Sequence, residues 1–224
     1  MVQMVNVTYG TSKATTNALG QRPMQARTYA ARAAQFLLLK APPAAGKSRA
    51  LMFVALDKLR HQGLGKVILC VPGTSIGGSF RSTDLTSYGF EADWEVDDRW
   101  NLCLTGEDAD KQKVKAFQTF MESDAKVLVC THATFRFGFD EVIKTKGIEA
   151  FDSCFIAIDE FHHVFKLYAS HYLVNYGVTA SCKVMQYFDA CVLQFKLLYS
   201  DIIIQSSIMY SEIIIHSSLN EKQF

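Results

Sequence analysis

Four short apolar runs punctuate the chain, Phe36 to Leu39, Val67 to Val71, Val127 to Cys130 and Cys154 to Ile158, with helical or loop stretches between them. Runs that stay apolar at every position, rather than alternating, are what strands covered on both faces require. Strands of that kind separated by helices predict an α/β fold with a mainly parallel sheet. Between the runs, Leu51 to Leu59 carries apolar residues at helical spacing inside a helix expected over Arg49 to Arg60. Asp110 to Met121 sets Val114, Phe117 and Phe120 on one helical face, and Tyr29 to Gln35 reads as a helix leading into the first strand. Tyr88 to Asp110 is acidic, holds both Trp94 and Trp100, and reads as a loop or small insertion to which the pattern assigns no role.

Past Lys166 the pattern changes. Proline and arginine disappear, Gly177 is the glycine that remains, and tyrosines gather at 168, 172, 176, 187, 199 and 210. Ile202-Ile203-Ile204-Gln205-Ser206-Ser207 returns in near copy as Ile213-Ile214-Ile215-His216-Ser217-Ser218. Two copies are too few for a solenoid, and such β-branched, weakly charged segments favour strand pairing and are aggregation hazards if exposed. The expected organisation is an α/β domain over residues 1–166 and an irregular, divergent or truncated C-terminal extension over 167–224.

Composition bounds this picture. The chain of 224 residues is 49% hydrophobic and 20% charged, enough for one full core and an appendage. No run approaches the roughly 18 apolar residues of a membrane span, and Met1 to Gly20 lacks the pattern of a secretory signal, so no membrane role and a cytoplasmic location are expected. The six cysteines sit mostly in or beside apolar runs, as reduced buried thiols do. A net charge of +1 gives no global basic footprint, so any nucleic-acid contact rests on a local patch such as Arg81, Arg136, Lys144 and Lys146.

Two segments carry chemistry. Ala41-Pro42-Pro43-Ala44-Ala45-Gly46-Lys47-Ser48 lies between the first strand and the helix that begins at Arg49. A loop there aims backbone N–H groups and the positive end of a helix dipole at phosphate oxygens. Gly46 lets the backbone approach, Lys47 brings charge to the β and γ phosphates, and the Ser48 hydroxyl can ligate magnesium. Pro43, Ala44, Ala45 and Arg49 complete the ATP-binding set. Ala41 stands where the general phosphate loop has its first glycine, and Pro42 and Pro43 stiffen the ascent. Gly-Lys-Ser also occurs by chance in many loops; the flanking strand and helix are what argue against that here.

The second segment is Ile156-Ala157-Ile158-Asp159-Glu160-Phe161-His162-His163. Its apolar run delivers Asp159 and Glu160 to the carboxyl end of a buried strand, where α/β sheets bind ligands. Asp159 would hold magnesium and Glu160 would orient and deprotonate the water attacking the γ phosphate. Strand-end carboxylates are often merely solvated, so the pairing with Lys47 carries the argument. Zinc at His162, His163 and Cys154 is disfavoured, because adjacent histidines do not easily share one ion and no C-x-x-C completes a site.

Asp159-Glu160-Phe161-His162 resembles the D-E-x-H motif of superfamily-two helicases and translocases, whose phosphate loop often begins with alanine. Arg22-Pro23-Met24-Gln25 resembles the R-P-x-Q element of the same family, Val67 to Pro72 with Gly73 to Phe80 its motif Ia, and Val127 to Phe135 the strand and turn that follow. The resemblance spans about residues 20 to 166, in family order, and is nearest to bacterial restriction-type motors. It implies a first RecA-like P-loop domain using ATP and Mg2+, with Gln25 reading adenine and His162 coupling nucleotide state to a second domain. It further implies that Thr74, Ser75, Arg81 and Thr131 touch nucleic acid, DNA in preference to RNA. Ser/Thr-rich loops also cap their own turns, the competing reading for those residues.

Two family features are not matched. Thr179-Ala180-Ser181 is the one candidate for motif III, and it follows motif II closely; no arginine follows Arg136, whereas the family's second RecA-like domain contributes arginines to the γ phosphate. An arginine finger is worth about 10³ to 10⁵ in rate, so slow turnover is expected without a second domain or partner subunit. The expected function is thus an ATP-hydrolysing helicase or translocase domain, incomplete alone. A nucleotide or nucleic-acid binding module without turnover is the alternative. A small-molecule P-loop kinase is disfavoured, because residues 167–224 hold only Lys183, Lys196 and Lys222 for a basic lid.

Overall fold

A computed structural model describes residues 16–34, 36–41, 44–104, 110–160 and 211–217. Five strands form one sheet: β1 (Phe36–Ala41), β2 (Lys66–Val71), β3 (Val127–Thr131), β4 (Cys154–Asp159) and β5 (Ser211–Ser217), in spatial order β1-β5-β4-β2-β3. Strands β4, β2 and β3 are parallel neighbours, while β5 runs antiparallel to both β1 and β4. It follows that β1 points the same way as the parallel trio, and its carboxyl end opens on the same edge as theirs. The α/β, mainly parallel architecture expected from the apolar runs is present, and it is the arrangement of a RecA-like domain.

Side chains alternate along β2, β3 and β4, so each of these three strands serves two cores. Val67, Leu69, Val71, Val129 and Ala157 point to one face, where helix α2 (Lys47–His61) lies together with Phe80, Leu85, Phe90 and Trp94 of an irregular segment. Ile68, Cys70, Leu128, Cys130, Ile156 and Ile158 point to the other, covered by α4 (Asp110–Glu122) and α5 (His132–Lys146) through Phe117, Phe120, Phe135 and Phe139. The cysteines at 70, 103, 130 and 154 are free and buried, and burial pushes the Cys103 and Cys154 thiols up to about 12.

Elements differ from the sequence reading in three places. Helix α1 spans Pro23–Ala30, upstream of the expected Tyr29 to Gln35, because Pro23 starts it at the position where a missing N–H costs nothing and Gln25 closes the first turn. The turn expected after β3 opens helix α5, capped by Thr131, whose Oγ1 accepts from the Thr134 N–H at 3.2 Å. The segment from Arg81 to Leu104 covers the α2 face with Leu85, Phe90, Trp94 and Val96, while its Trp100 and Leu102 pack on the other face. Trp94 is completely buried, exchanges backbone hydrogen bonds with Thr83, and donates from Nε1 to the Phe80 carbonyl at 3.0 Å.

Helix α1 is anchored to α2 by a polar cluster. The buried Asp57 carboxylate accepts from Tyr29 Oη at 3.2 Å, Arg32 Nε at 3.0 Å and Gln62 Nε2 at 2.6 Å. Lys58, fully buried beside it, donates to the Ala34 carbonyl and to Gln62 Oε1, and burial lowers its pKa. The boundary expected near Lys166, the candidate Thr179-Ala180-Ser181 and most of the extension lie outside the described residues.

Candidate active site

The loop after β1 rises into α2 through two left-handed residues, Ala44 at φ 60° and Gly46 at φ 88°. Such reversals turn successive N–H groups inward, the concave arrangement that receives anions. Only glycine fits at 46, for a second reason besides φ: a Cβ there would stand 2.6 Å from Gln25 Nε2. Lys47 and Ser48 then occupy the first turn of α2, where backbone donors and the helix dipole point out of the N-terminus. Lys47 Nζ reaches back to the Ala41 carbonyl at 3.3 Å. Pro43 lies outside the described residues, whereas Ala44, Ala45 and Arg49 line the described part of the loop and first turn.

The carboxylate pair sits at the end of β4. Register sets Asp159 level with Leu39 of β1, both opposite Ile213 of β5, so one strand lies between the two halves of the site. At a strand spacing near 4.8 Å, Leu39 and Asp159 are roughly 10 Å apart, and β1 runs two residues further to Ala41. Asp159 is 6% exposed, and its Oδ1 accepts from the Glu160 N–H at 3.1 Å. Burial and the neighbouring Glu160 charge raise its pKa to about 6, while the Lys47 ammonium pulls in the opposite direction. Glu160 is held at φ 53°, a conformation a residue with a Cβ adopts at a cost and keeps only when its surroundings impose it.

Asp159 is thus a buried carboxylate next to a second one, an excess of negative charge that a hard, oxygen-preferring cation would relieve. Asp159 and the Ser48 hydroxyl are the oxygen donors that would hold magnesium under the sequence expectation. His162 lies outside the described residues.

Gln25 is brought against the phosphate loop. It is 2% exposed; its Oε1 accepts from the Arg22 N–H at 2.8 Å and its Nε2 donates to the Gly46 carbonyl at 3.0 Å. Both ends of the amide are therefore engaged within the protein, tying α1 to the loop.

With this geometry in place, comparison with known proteins is informative. The chain is 55% identical over 167 residues to a Bacillus subtilis (strain 168) protein named "Putative ATP-dependent helicase YeeB". The match takes in 73% of this chain and 26% of the relative, so the chain spans about a quarter of that protein's length. No protein-family model matches the chain, and no solved structure does.

The candidate nucleic-acid residues occupy other loops on the described part of the molecule. Thr74 and Ser75 are exposed on α3 (Thr74–Gly77), directly after β2, and Arg81 is exposed just beyond it. Thr131 is half-buried, and its hydroxyl is engaged by Thr134 as the cap of α5. One connection escaped the sequence reading. His132, buried at the start of α5, donates from Nε2 to the Asp159 carbonyl at 2.9 Å and links the β3 turn to the carboxylate strand. The Thr131-x-x-Thr134 spacing of a capped helix start was the available signal that His132 opens a helix.

Proposed function

We propose that the chain is an ATP-binding and ATP-hydrolysing domain of a superfamily-two, D-E-x-H type helicase or translocase acting on nucleic acid, with DNA favoured over RNA. The observation that carries this reading is the placement of the strand that leads into the Gly46-Lys47-Ser48 loop and the strand that ends in Asp159, which point the same way with one strand between them, so that loop and carboxylates share one edge of the sheet. The 55% identity to a relative with a helicase name supports the same direction.

In this reading the loop N–H groups from Ala44 onward bind the phosphates, and Lys47 neutralises charge on the β and γ groups. Magnesium, held by Ser48 and Asp159, would supply further charge neutralisation at those oxygens. Glu160 orients the attacking water and takes its proton. Its strained backbone fixes the carboxylate at the strand end, so little reorganisation is needed when charge develops. Motion on nucleic acid, read through Thr74, Ser75 and Arg81, needs a second RecA-like domain or partner subunit that supplies arginine to the γ phosphate.

The test is steady-state phosphate release with Mg-ATP, with and without single- and double-stranded DNA and RNA, using Lys47→Ala as the blank. Stimulated release that depends on Lys47 is the expected result. Binding of labelled ATP with release no faster than the blank favours the alternative, a nucleotide-binding module without turnover. No binding at all sinks both.

A further inference from the structure

The segment from Arg81 to Leu104 takes no part in the phosphate chemistry, yet it brings an aromatic ring to the mouth of the site. Tyr88 ends a short turn, Thr86–Tyr88, and is 60% exposed, whereas Leu85 and Phe90 on either side are buried. The turn is firmly held. Asp93 Oδ1 accepts from the Leu85 and Thr86 N–H groups at 2.8 and 2.9 Å, and the Phe90 ring packs on Phe53 of α2 and edge-on against Tyr29 of α1. Gly20, at φ 67°, presses its backbone against the Tyr88 carbonyl so closely that a Cβ there would collide with it.

A residue of the first turn of α2, just after the phosphate loop, reaches the exposed ring. The Arg49 guanidinium lies over the Tyr88 ring, 5.1 Å from its centroid, and Arg49 follows Ser48 directly in α2. Arg22 Nη1 stands 3.9 Å from the place a Cβ on Gly46 would take, beside the Gln25 amide. Arg49 thus joins Tyr88 to the first turn of α2, while Arg22 and Gln25 stand beside Gly46, three residues before Arg49 in the same loop-to-helix turn.

We propose that Tyr88 is a stacking platform for the base of the bound nucleotide, a role that rests on the phosphate-loop reading above. A ring fixed in place yet left largely in water, beside a planar and weakly hydrated guanidinium, is suited to receive a second planar group. Base stacking tolerates any base, since each presents a π face, so Tyr88 distinguishes a nucleotide from bare polyphosphate rather than one purine from another.

Equilibrium binding of Mg-ATP, Mg-GTP and inorganic triphosphate to the full chain, with Tyr88→Ala, Tyr88→Phe and Lys47→Ala beside it, decides the matter. Tyr88→Ala weakens ATP and GTP about tenfold and leaves triphosphate binding as it was, while Tyr88→Phe binds all three as the unaltered chain does. Parallel weakening of triphosphate overturns the proposal, because Tyr88 would then act through the loop and not on the base. Unchanged ATP affinity in Tyr88→Ala, with binding abolished in Lys47→Ala, overturns it while leaving the phosphate-loop reading intact. If Lys47→Ala changes nothing, that reading falls and this one with it.

Discussion

On one face of the sheet, Ile68, Cys70, Leu128, Cys130, Ile156 and Ile158 meet two regular helices, α4 and α5. On the other, Val67, Leu69, Val71, Val129 and Ala157 meet one helix and an irregular segment pinned by Trp94. The first face is made of repeated aromatic contacts, such as Phe139 on Phe151 with centroids 4.6 Å apart. The second brings α1, the phosphate loop and the turn at Tyr88 to one edge. One face therefore mainly supplies stability, while the other places groups at a site, although the same strands support both.

That division can be tested, and the largest effect falls on the site. Glu160→Gln should lower ATP turnover by about 10³-fold with ATP affinity retained, read as single-turnover phosphate release against equilibrium binding. Phe117→Ala, on the opposite face, should cost about 3–5 kcal/mol in urea unfolding while leaving ATP affinity unchanged in the folded fraction. Equal losses of turnover per folded molecule from both substitutions would erase the distinction between the faces.

Intermediate effects come from groups that belong to the site and to the fold at once. Asp159 has its pKa raised from 3.8 to about 6, so the folded chain holds that proton more tightly than the unfolded chain does. Stability without nucleotide should accordingly fall as pH rises from about 4 to about 6, by up to ~3 kcal/mol, and Asp159→Asn should flatten that slope. Gln25→Ala removes the bonds to Arg22 and Gly46; a loss of ~1–2 kcal/mol is expected, together with weaker ATP binding as the loop loosens. Smallest is Thr131→Ala, at about 1 kcal/mol from the lost cap. If it instead abolishes nucleic-acid stimulation at unchanged stability, the hydroxyl works on a ligand.

The face of regular helices was the more legible one in the sequence. Phe117 and Phe120 lie on the stripe that periodicity marked, and the apolar runs coincide with β1 to β4 within a residue or two at each end. The cover on the other face was not legible, because Trp94 and Phe90 are placed by backbone bonds and turns that leave no period. Local chemistry also misled at α1. Apolar spacing suggested residues 29 to 35, whereas Pro23 and the Gln25 closure set the start. The places of Lys47, Asp159 and Glu160, at the start of α2 and the end of β4, were readable because each adjoins the boundary of an apolar run. The His132 bond to the Asp159 carbonyl was not, since contacts between distant strands leave no mark on spacing.

Glu160 holds a backbone conformation that glycine would adopt without penalty. Replacing it by glycine should make the protein about 1 kcal/mol harder to unfold and remove the carboxylate proposed to activate water. Evolution under heat alone would thus be drawn to discard this side chain early. Thermal robustness and turnover compete here for a single position, and any attempt to engineer a hardier version of the protein would have to leave residue 160 alone.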